Sequence, residues 1–346
     1  MAIHSRQFLL AARPVGEPKP SDFRLETVEL PSPAPGQLLV RNIVMSVDPY
    51  MRGRMSDTPS YAPSWLLGEP ARGGAIGEVI EAGTPTDLGV PPIAPGTLVL
   101  HDAGWREHAL VEAHQVTVID PAPGTSLSYY LGTLGMPGLT AYTGLFHIAD
   151  FRPGDTVFIS GAAGAVGGVA GQLAKLRGAS RVIGSAGSAE KVRFLTETLG
   201  FDAAFDYHAG PVGEQLRAAA PEGIDLFFDN VGGDHLEAAI SSFRIGGRAA
   251  LCGSISGYNA TAPRPGPANI SLLTGKRAML KGFIVSDHWN LRQEFLDTAV
   301  PAVQDGRIQV PETVFDGLES APHAFIGLLR GQNTGKMIVR LAAAGS

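Results

Sequence analysis

Cysteine is almost missing from this chain: Cys252 is the only one among 346 residues. One thiol can close no intrachain disulfide and build no multi-cysteine zinc site. Charge is thin as well, with 17% charged residues and a formal net charge of -6. That balance gives no electrostatic footing for nucleic acid or an anionic membrane surface, so neither is expected as a partner. No apolar run approaches the ~18 residues of a membrane span. Met1–Pro20 has basic residues scattered through it and no long apolar core, which is not a secretory pattern. A cytoplasmic location is the expectation. The chain also lacks a G-x-S-x-G elbow with supporting His and acid, which argues against a serine nucleophile.

What the chain does have is length, glycine and proline. Its 346 residues favour two domains over one, and a 44% hydrophobic composition suffices for sizeable cores. The 44 Gly and 26 Pro imply many tight turns. The first part reads as short strands at Gln7–Ala11, Phe23–Glu29, Gln37–Ser46, Ala75–Glu81, Leu98–His101 and Glu107–Val111. Pro/Gly breakers such as Pro91–Gly96 separate them, which suggests a small barrel or sandwich. From Ser126 strands and helices alternate. The strands are Thr156–Ser160, Arg181–Gly184, Ala203–Asp206, Ile224–Asp229, Arg248–Gly253 and Met279–Val285. The helices are Ala189–Leu199, Val212–Ala219 and Asp234–Phe243, with Leu291–Asp305 leaving the sheet. This rhythm predicts an α/β, Rossmann-type doubly wound parallel sheet in the order 3-2-1-4-5-6. Thr313–Phe315, Ala321–Leu329 and Met337–Leu341 return to the first lobe. The expected division is a discontinuous β-rich substrate domain (1–125 and 306–346) around a dinucleotide-binding domain (126–305). Ligands are then expected between the lobes, at the carboxyl ends of the sheet strands.

The chain is organised around residues 156–178. An apolar strand ends at Gly161, a helical pattern runs from Val166 to Leu176, and Gly161, Gly164 and Gly167 lie between. A strand, glycine turn and helix N-terminus in succession let backbone N–H groups approach a pyrophosphate. An NAD-binding unit then needs an acid about twenty residues further on, for the ribose hydroxyls. Here the second strand emerges into Ser185-Ala186-Gly187-Ser188 and has no acid. Ser185, Ser188, the Gly187 N–H and Lys191 suit a 2′-phosphate instead, so NADP(H) is the expected cofactor.

Several segments are distinctive together: Ser46–Met55, Gly135–Tyr142, Gly161–Gly167, Phe228-Asp229-Asn230-Val231-Gly232-Gly233, Cys252–Asn259 and Asn333-Thr334-Gly335-Lys336. In this combination and order the chain resembles the medium-chain dehydrogenase/reductase superfamily. Within it, the resemblance is to the zinc-free prostaglandin reductases, 2-alkenal double-bond reductases and curcumin reductase-like enzymes, over nearly the whole length. The resemblance implies a GroES-like β-rich domain beside the Rossmann domain, and a homodimer joined edge to edge through the cofactor-domain sheets. It implies that Ala165, Val166, Gly167 and Gly168 contact the pyrophosphate while Lys191 and Tyr207 serve the adenosine end. Asn230, Cys252, Gly253, Ser254, Ile255, Ser256, Tyr258, Phe283, Ile284, Val285 and Asn333 are then implied around the nicotinamide. Asp206 and His208 flank Tyr207 where relatives often carry Asn and Lys.

Zinc-dependent cousins place a Cys in the first lobe and Gly-His-Glu soon after. This chain has Asp48-Pro49-Tyr50 and Gly68-Glu69-Pro70 there, neither of which supplies a thiolate or imidazole. His101, His108 and His114 read as surface or loop residues, and Cys252 as a small apolar packer. No metal is expected. Without one, conjugate reduction of an enal or enone fits better than direct carbonyl reduction. Its transition state needs donors at the carbonyl oxygen, where negative charge collects. Tyr258 is the leading donor and Tyr50 a second candidate, with Asp48 and Arg52 anchoring its loop. Tyr50, Met51, Met55, Tyr61, Trp65, Tyr258, Phe283 and Trp289 are the expected lining for a hydrophobic substrate. An NADPH:quinone oxidoreductase, oxidation of a lipid hydroxyl and a catalytically idle NADPH-binding protein are the rival readings.

Overall fold

The computed structural model describes residues 3–86 and 91–341. The chain forms two compact units, Met1–Leu131 with Glu312–Asn333 and Met337–Ser346, and Gly132–Pro311 with Thr334–Lys336. The expected divisions at 125 and 305 thus fall at 131 and 311, and the second unit also takes back Thr334–Lys336.

The first unit opens with β1 (Ile3–Leu10), paired antiparallel with β2 (Phe23–Leu30) from Ile3↔Leu30 to Leu10↔Phe23. There follow β3 (Gln37–Ser46), α1 (Met51–Arg54), β4 (Ala75–Ala82), β5 (Leu98–His101), β6 (His108–Glu112) and β7 (Thr117–Val118). The second unit contains α2 (Met136–Thr143), β8 (Thr156–Ile159), α3 (Ala165–Leu176), β9 (Arg181–Ala186), α4 (Ala189–Arg193) and β10 (Ala203–Asp206). It continues with α5 (Val212–Ala219), β11 (Ile224–Asp229), α6 (Gly233–Ser242), β12 (Phe243–Leu251), α7 (Leu272–Lys276), β13 (Met279–Gly282) and α8 (Arg292–Gln304). The chain then returns to the first unit through β14 (Glu312–Asp316), α9 (Ala321–Leu329) and β15 (Lys336–Arg340).

In the first unit the sheet order is β14-β15-β3-β4-β5-β7, with β6 on β3. Its larger core closes around Trp105, which stacks on Phe23 at 5.2 Å and meets Phe8, Trp65 and Phe325 edge-on. Met51, Met55 and Trp65, expected in a substrate pocket, belong to this core at 0%, 0% and 3% exposure. These apolar side chains complete the packing around the Trp105 ring and do not line a pocket.

The second unit is a six-stranded parallel sheet in the order β10-β9-β8-β11-β12-β13, which is the expected 3-2-1-4-5-6. Burial on both faces explains why β8 and the Leu226-Phe227-Phe228 stretch of β11 read as unbroken apolar runs. Two strands stop short of their expected ends. β12 closes at Leu251 and β13 at Gly282, where the last register pair, Leu251↔Gly282, is made. Cys252, Gly253 and Phe283–Val285 therefore lie in loops beyond the sheet's carboxyl edge. The expected helix 189–199 is α4 followed by a wider π-turn at Phe194–Thr198.

Candidate active site

The glycine turn is shaped by contact distances. Gly161 has φ 59°, and a Cβ on Gly167 would stand 2.6 Å from the Gly161 carbonyl oxygen. Only bare backbone lets α3 begin this close to the end of β8. Gly164 enters α3 with extended backbone and no side-chain cap. The first-turn N–H groups of Val166 and Gly167 have no partner within the helix, and such groups favour an anion. The turn is tied down by Ala162 N–H to Ser185 O (2.9 Å) and by Gly335 N–H to Ala163 O (2.8 Å).

Among the residues expected to serve the adenosine, Ser188 caps α4 and its hydroxyl accepts from the Lys191 N–H at 3.3 Å. Lys191 is half-buried, and desolvation lowers the pKa of its ammonium. Tyr207 crosses Gly187, where a Cβ would stand 2.8 Å from the phenol oxygen. His208 Nδ1 lies 3.2 Å from the Gly187 carbonyl. Ser185 departs from expectation. It is fully buried, and its hydroxyl finds no partner in the interior. Alternation along β9 puts it on the same face as the buried Ile183, so it does not reach the surface with Ser188.

Asn230 and Cys252–Tyr258, expected around the nicotinamide, come together as two interlocked loops beyond β11 and β12. Ile255 N–H donates to Asn230 O (3.2 Å), and Ser256 donates to Val231 O through both its N–H (3.2 Å) and its hydroxyl (2.6 Å). Gly232, at φ 71°, is glycine because a Cβ would stand 2.6 Å from the Ser254 hydroxyl. The centre is Asp229, which is 2% exposed. Its Oδ1 accepts from Ser160 Oγ, Val231 N–H and Gly232 N–H, while its carbonyl accepts from Cys252 and Gly253 N–H. Burial raises its pKa against the pull of those three bonds. Ser160 also accepts from Asn230 N–H (2.8 Å), and its carbonyl accepts from Asn230 Nδ2 (2.8 Å). The part played by Asp229 was not legible from its motif; the available signal is an acid directly after the buried Leu226-Phe227-Phe228 run.

Tyr258 is half-buried, with its phenol oxygen over Gly253. Burial raises its pKa, and a hydrogen bond from the Ser254 N–H opposes the rise. The group stays protonated, and its O–H can donate. The Cys252 thiol is pushed up to about 12 by burial and the nearby Asp229 charge, so it is no nucleophile. Phe283 packs edge-on to Phe228, and a Cβ on Gly144 would stand 2.9 Å from the Phe283 ring. Ile284 and Val285 are half-buried, while Trp289 is 42% exposed.

In the first unit, Tyr50 is half-buried against the Trp105 core, and its pKa is raised by burial and by Asp48. Asp48 accepts from Ser46 Oγ, and Arg52 donates to Pro14 O (3.3 Å) and Gly16 O (2.8 Å). Both anchor the Tyr50 loop as expected. Asn333 is buried in this unit at 7% exposure. His101 corrects its expectation: it is interior, and its Nδ1 accepts from the Ala103 N–H. Burial lowers it to about 4. Among the described residues no group of three or more His, Cys, Asp or Glu is arranged to hold a metal.

Family models match in two parts, an N-terminal domain of oxidoreductase over residues 6–119 and a zinc-binding dehydrogenase domain over 165–303. The chain is 41% identical to the NADPH-dependent curcumin reductase of Escherichia coli, covering 98% of this chain and 97% of that one. It belongs to the zinc-independent medium-chain dehydrogenase/reductases, in the prostaglandin and 2-alkenal reductase group. Bovine prostaglandin reductase 1 is 42% identical, over 98% of this chain and 99% of its own. The crystal structure of CurA from Vibrio vulnificus in complex with NADPH superposes with a TM-score of 0.91 at 40% identity, over 98% and 99% of the two chains. Membership in this group fits the two-unit division and the parallel sheet order seen here.

Proposed function

We propose that this protein is an NADPH-dependent reductase of the C=C bond of α,β-unsaturated aldehydes and ketones. The observation that carries the reading is Tyr258, a half-buried phenol whose oxygen stands over Gly253 beyond β12, in a chain related throughout to curcumin and prostaglandin reductases. Ala165–Gly168 receive the pyrophosphate at the N-terminus of α3, which has no side-chain cap. Lys191 and Ser188 receive a 2′-phosphate, with Gly187 and Tyr207 as the adenosine floor. Asn230, Cys252, Gly253, Ser254, Ile255 and Ser256, with Phe283, Ile284, Val285 and Asn333, surround the nicotinamide. NADPH, when bound, supplies the hydride. Tyr258 donates to the carbonyl oxygen as charge collects there, lowering the barrier to reaction at the β-carbon. Tyr50 contributes from the β-rich unit, which serves as the substrate domain.

Assembly and location belong to the same reading. The edge strand β13 presents Met279 at 41% exposure, with Ile270 and Leu272 at 52% and 42% in the segment before it. An unpaired apolar edge supports a homodimer joined there. No described helix is long and apolar enough to cross a membrane, and a cytoplasmic enzyme is the proposal. The test is NADPH consumption against a panel of enals, enones and quinones with product identification. Saturated carbonyl products support the reading, and consumption with quinones alone overturns it.

A further inference from the structure

The segment Met55–Trp65 is a surface loop with a closed neck. Trp65 N–H donates to Arg54 O at 2.7 Å, bringing the ends together. Both ends are buried in the Trp105 core, at 0% exposure for Met55 and 3% for Trp65. The tip is outside it, with Tyr61 at 64% exposure. Pro59 and Pro63 deny the tip two N–H donors, so it cannot pair with a strand. A compact loop of this kind depends on its neck for its shape.

Arginines hold that neck through backbone carbonyls. Arg13 Nη1 donates to Met55 O at 2.9 Å and Arg13 Nη2 to Trp65 O at 3.2 Å, so one planar guanidinium grips both ends. Its nearest carboxylate, Asp57, is 4.0 Å away and 82% exposed, a weak competitor. Arg54 Nε donates to Pro63 O at 3.0 Å, and the Arg54 guanidinium lies 5.9 Å over the Trp65 ring. The segment carrying Arg13 is itself fixed, because the buried Arg52 binds the carbonyls of Pro14 and Gly16. Tyr50 directly precedes α1 and its carbonyl accepts from Gly53 N–H (3.0 Å) and Arg54 N–H (3.4 Å), so the loop leaves from the Tyr50 side.

We propose that Arg13 is a positioning residue for substrate selection: by clasping both ends of the Met55–Trp65 loop it fixes the surface that the loop presents on the Tyr50 side to the tail of a long substrate. This rests on the reading that the β-rich unit is the substrate domain. A short enal reacts without touching such a surface, whereas a long alkyl chain needs it. Lysine at this position has a compact ammonium in place of a planar fork and holds the two carbonyls poorly.

The test compares 2-butenal with 2-nonenal in wild type, Arg13→Ala and Arg13→Lys, with NADPH affinity measured separately. Arg13→Ala is expected to raise KM for 2-nonenal about tenfold, with KM for 2-butenal and both kcat values within about twofold. Arg13→Lys recovers only part of the loss. Chymotrypsin is expected to cut at Tyr61 faster in Arg13→Ala. An unchanged KM for 2-nonenal, equal losses for both enals, or an unchanged rate of cleavage at Tyr61 overturns the proposal. A wild type that reduces neither enal overturns the parent reading instead.

Discussion

Ser160 Oγ donates to Asp229 Oδ1 at 2.9 Å, joining the ends of two neighbouring parallel strands beneath the paired loops of the site. The same carboxylate oxygen receives the N–H groups of Val231 (3.0 Å) and Gly232 (2.8 Å). The loop after β11 is therefore ordered around one buried acid, and the loop after β12 is ordered on that loop in turn.

Replacing that acid should damage stability and cofactor binding together. Asp229→Ala leaves two backbone N–H groups and a hydroxyl without their acceptor, at a cost of about 1–3 kcal/mol for each group left unsatisfied. The expected result in urea unfolding is a loss of about 3 kcal/mol. NADPH affinity falls with it, because Asn230 and Ser254–Ser256 lose their frame. Unchanged stability would show that the network is incidental.

Lys191 offers a cleaner separation. On the proposed reading its ammonium meets the 2′-phosphate, so Lys191→Ala should weaken NADPH by about tenfold or more, the worth of a charge-assisted hydrogen bond. NADH should bind as before. Equal losses for the two cofactors would remove Lys191 from the recognition of that phosphate.

Tyr258→Phe should lower kcat with 2-nonenal by about 100-fold, a typical loss for a positioned proton donor. NADPH affinity should hold, since the phenol oxygen stands over Gly253 and not at the glycine turn. A fall below threefold at saturating substrate would assign the chemistry elsewhere.

Acid should loosen both units. His101 and His235 are buried at 6% and 4% exposure, and burial depresses each from an ordinary 6.5 to about 4. Between those values the unfolded chain binds more protons than the folded one, so stability falls as pH drops from 6.5 toward 4. Each ring contributes on the order of 3 kcal/mol to that loss. Asp229, with its pKa raised, works in the opposite sense. Urea unfolding from pH 7 to 4.5 should show the decline, and His235→Phe, which keeps the stack on Phe158, should make it shallower. Parallel pH profiles for the two proteins would contradict this.

The sheet and its glycine turn were legible because full burial on both faces leaves continuous apolar runs, and because the space beside Gly161 forbids a side chain at Gly167. What escaped was the sidedness of single polar residues. Ser185 follows Ile183 by two positions and His101 follows Val99 by two, so strand alternation turns both inward. A hydroxyl or imidazole within a short run carries no mark of that, because loops favour the same residue types. Met51, Met55 and Trp65 failed for a different reason: pocket and core ask for the same apolar side chains, and only the ring of Trp105 decides between them. The Arg13 clasp had no sequence signal, since its acceptors are backbone carbonyls 42 and 52 residues away.

The most direct test of the account follows one hydrogen. An enone is reduced with NADPH carrying deuterium at the transferred position, and the label is located in the product by NMR. The account predicts one deuterium on the former β-carbon of a saturated ketone, with a solvent-derived hydrogen on the α-carbon. Deuterium on the carbonyl carbon of an allylic alcohol, with the double bond intact, would contradict it.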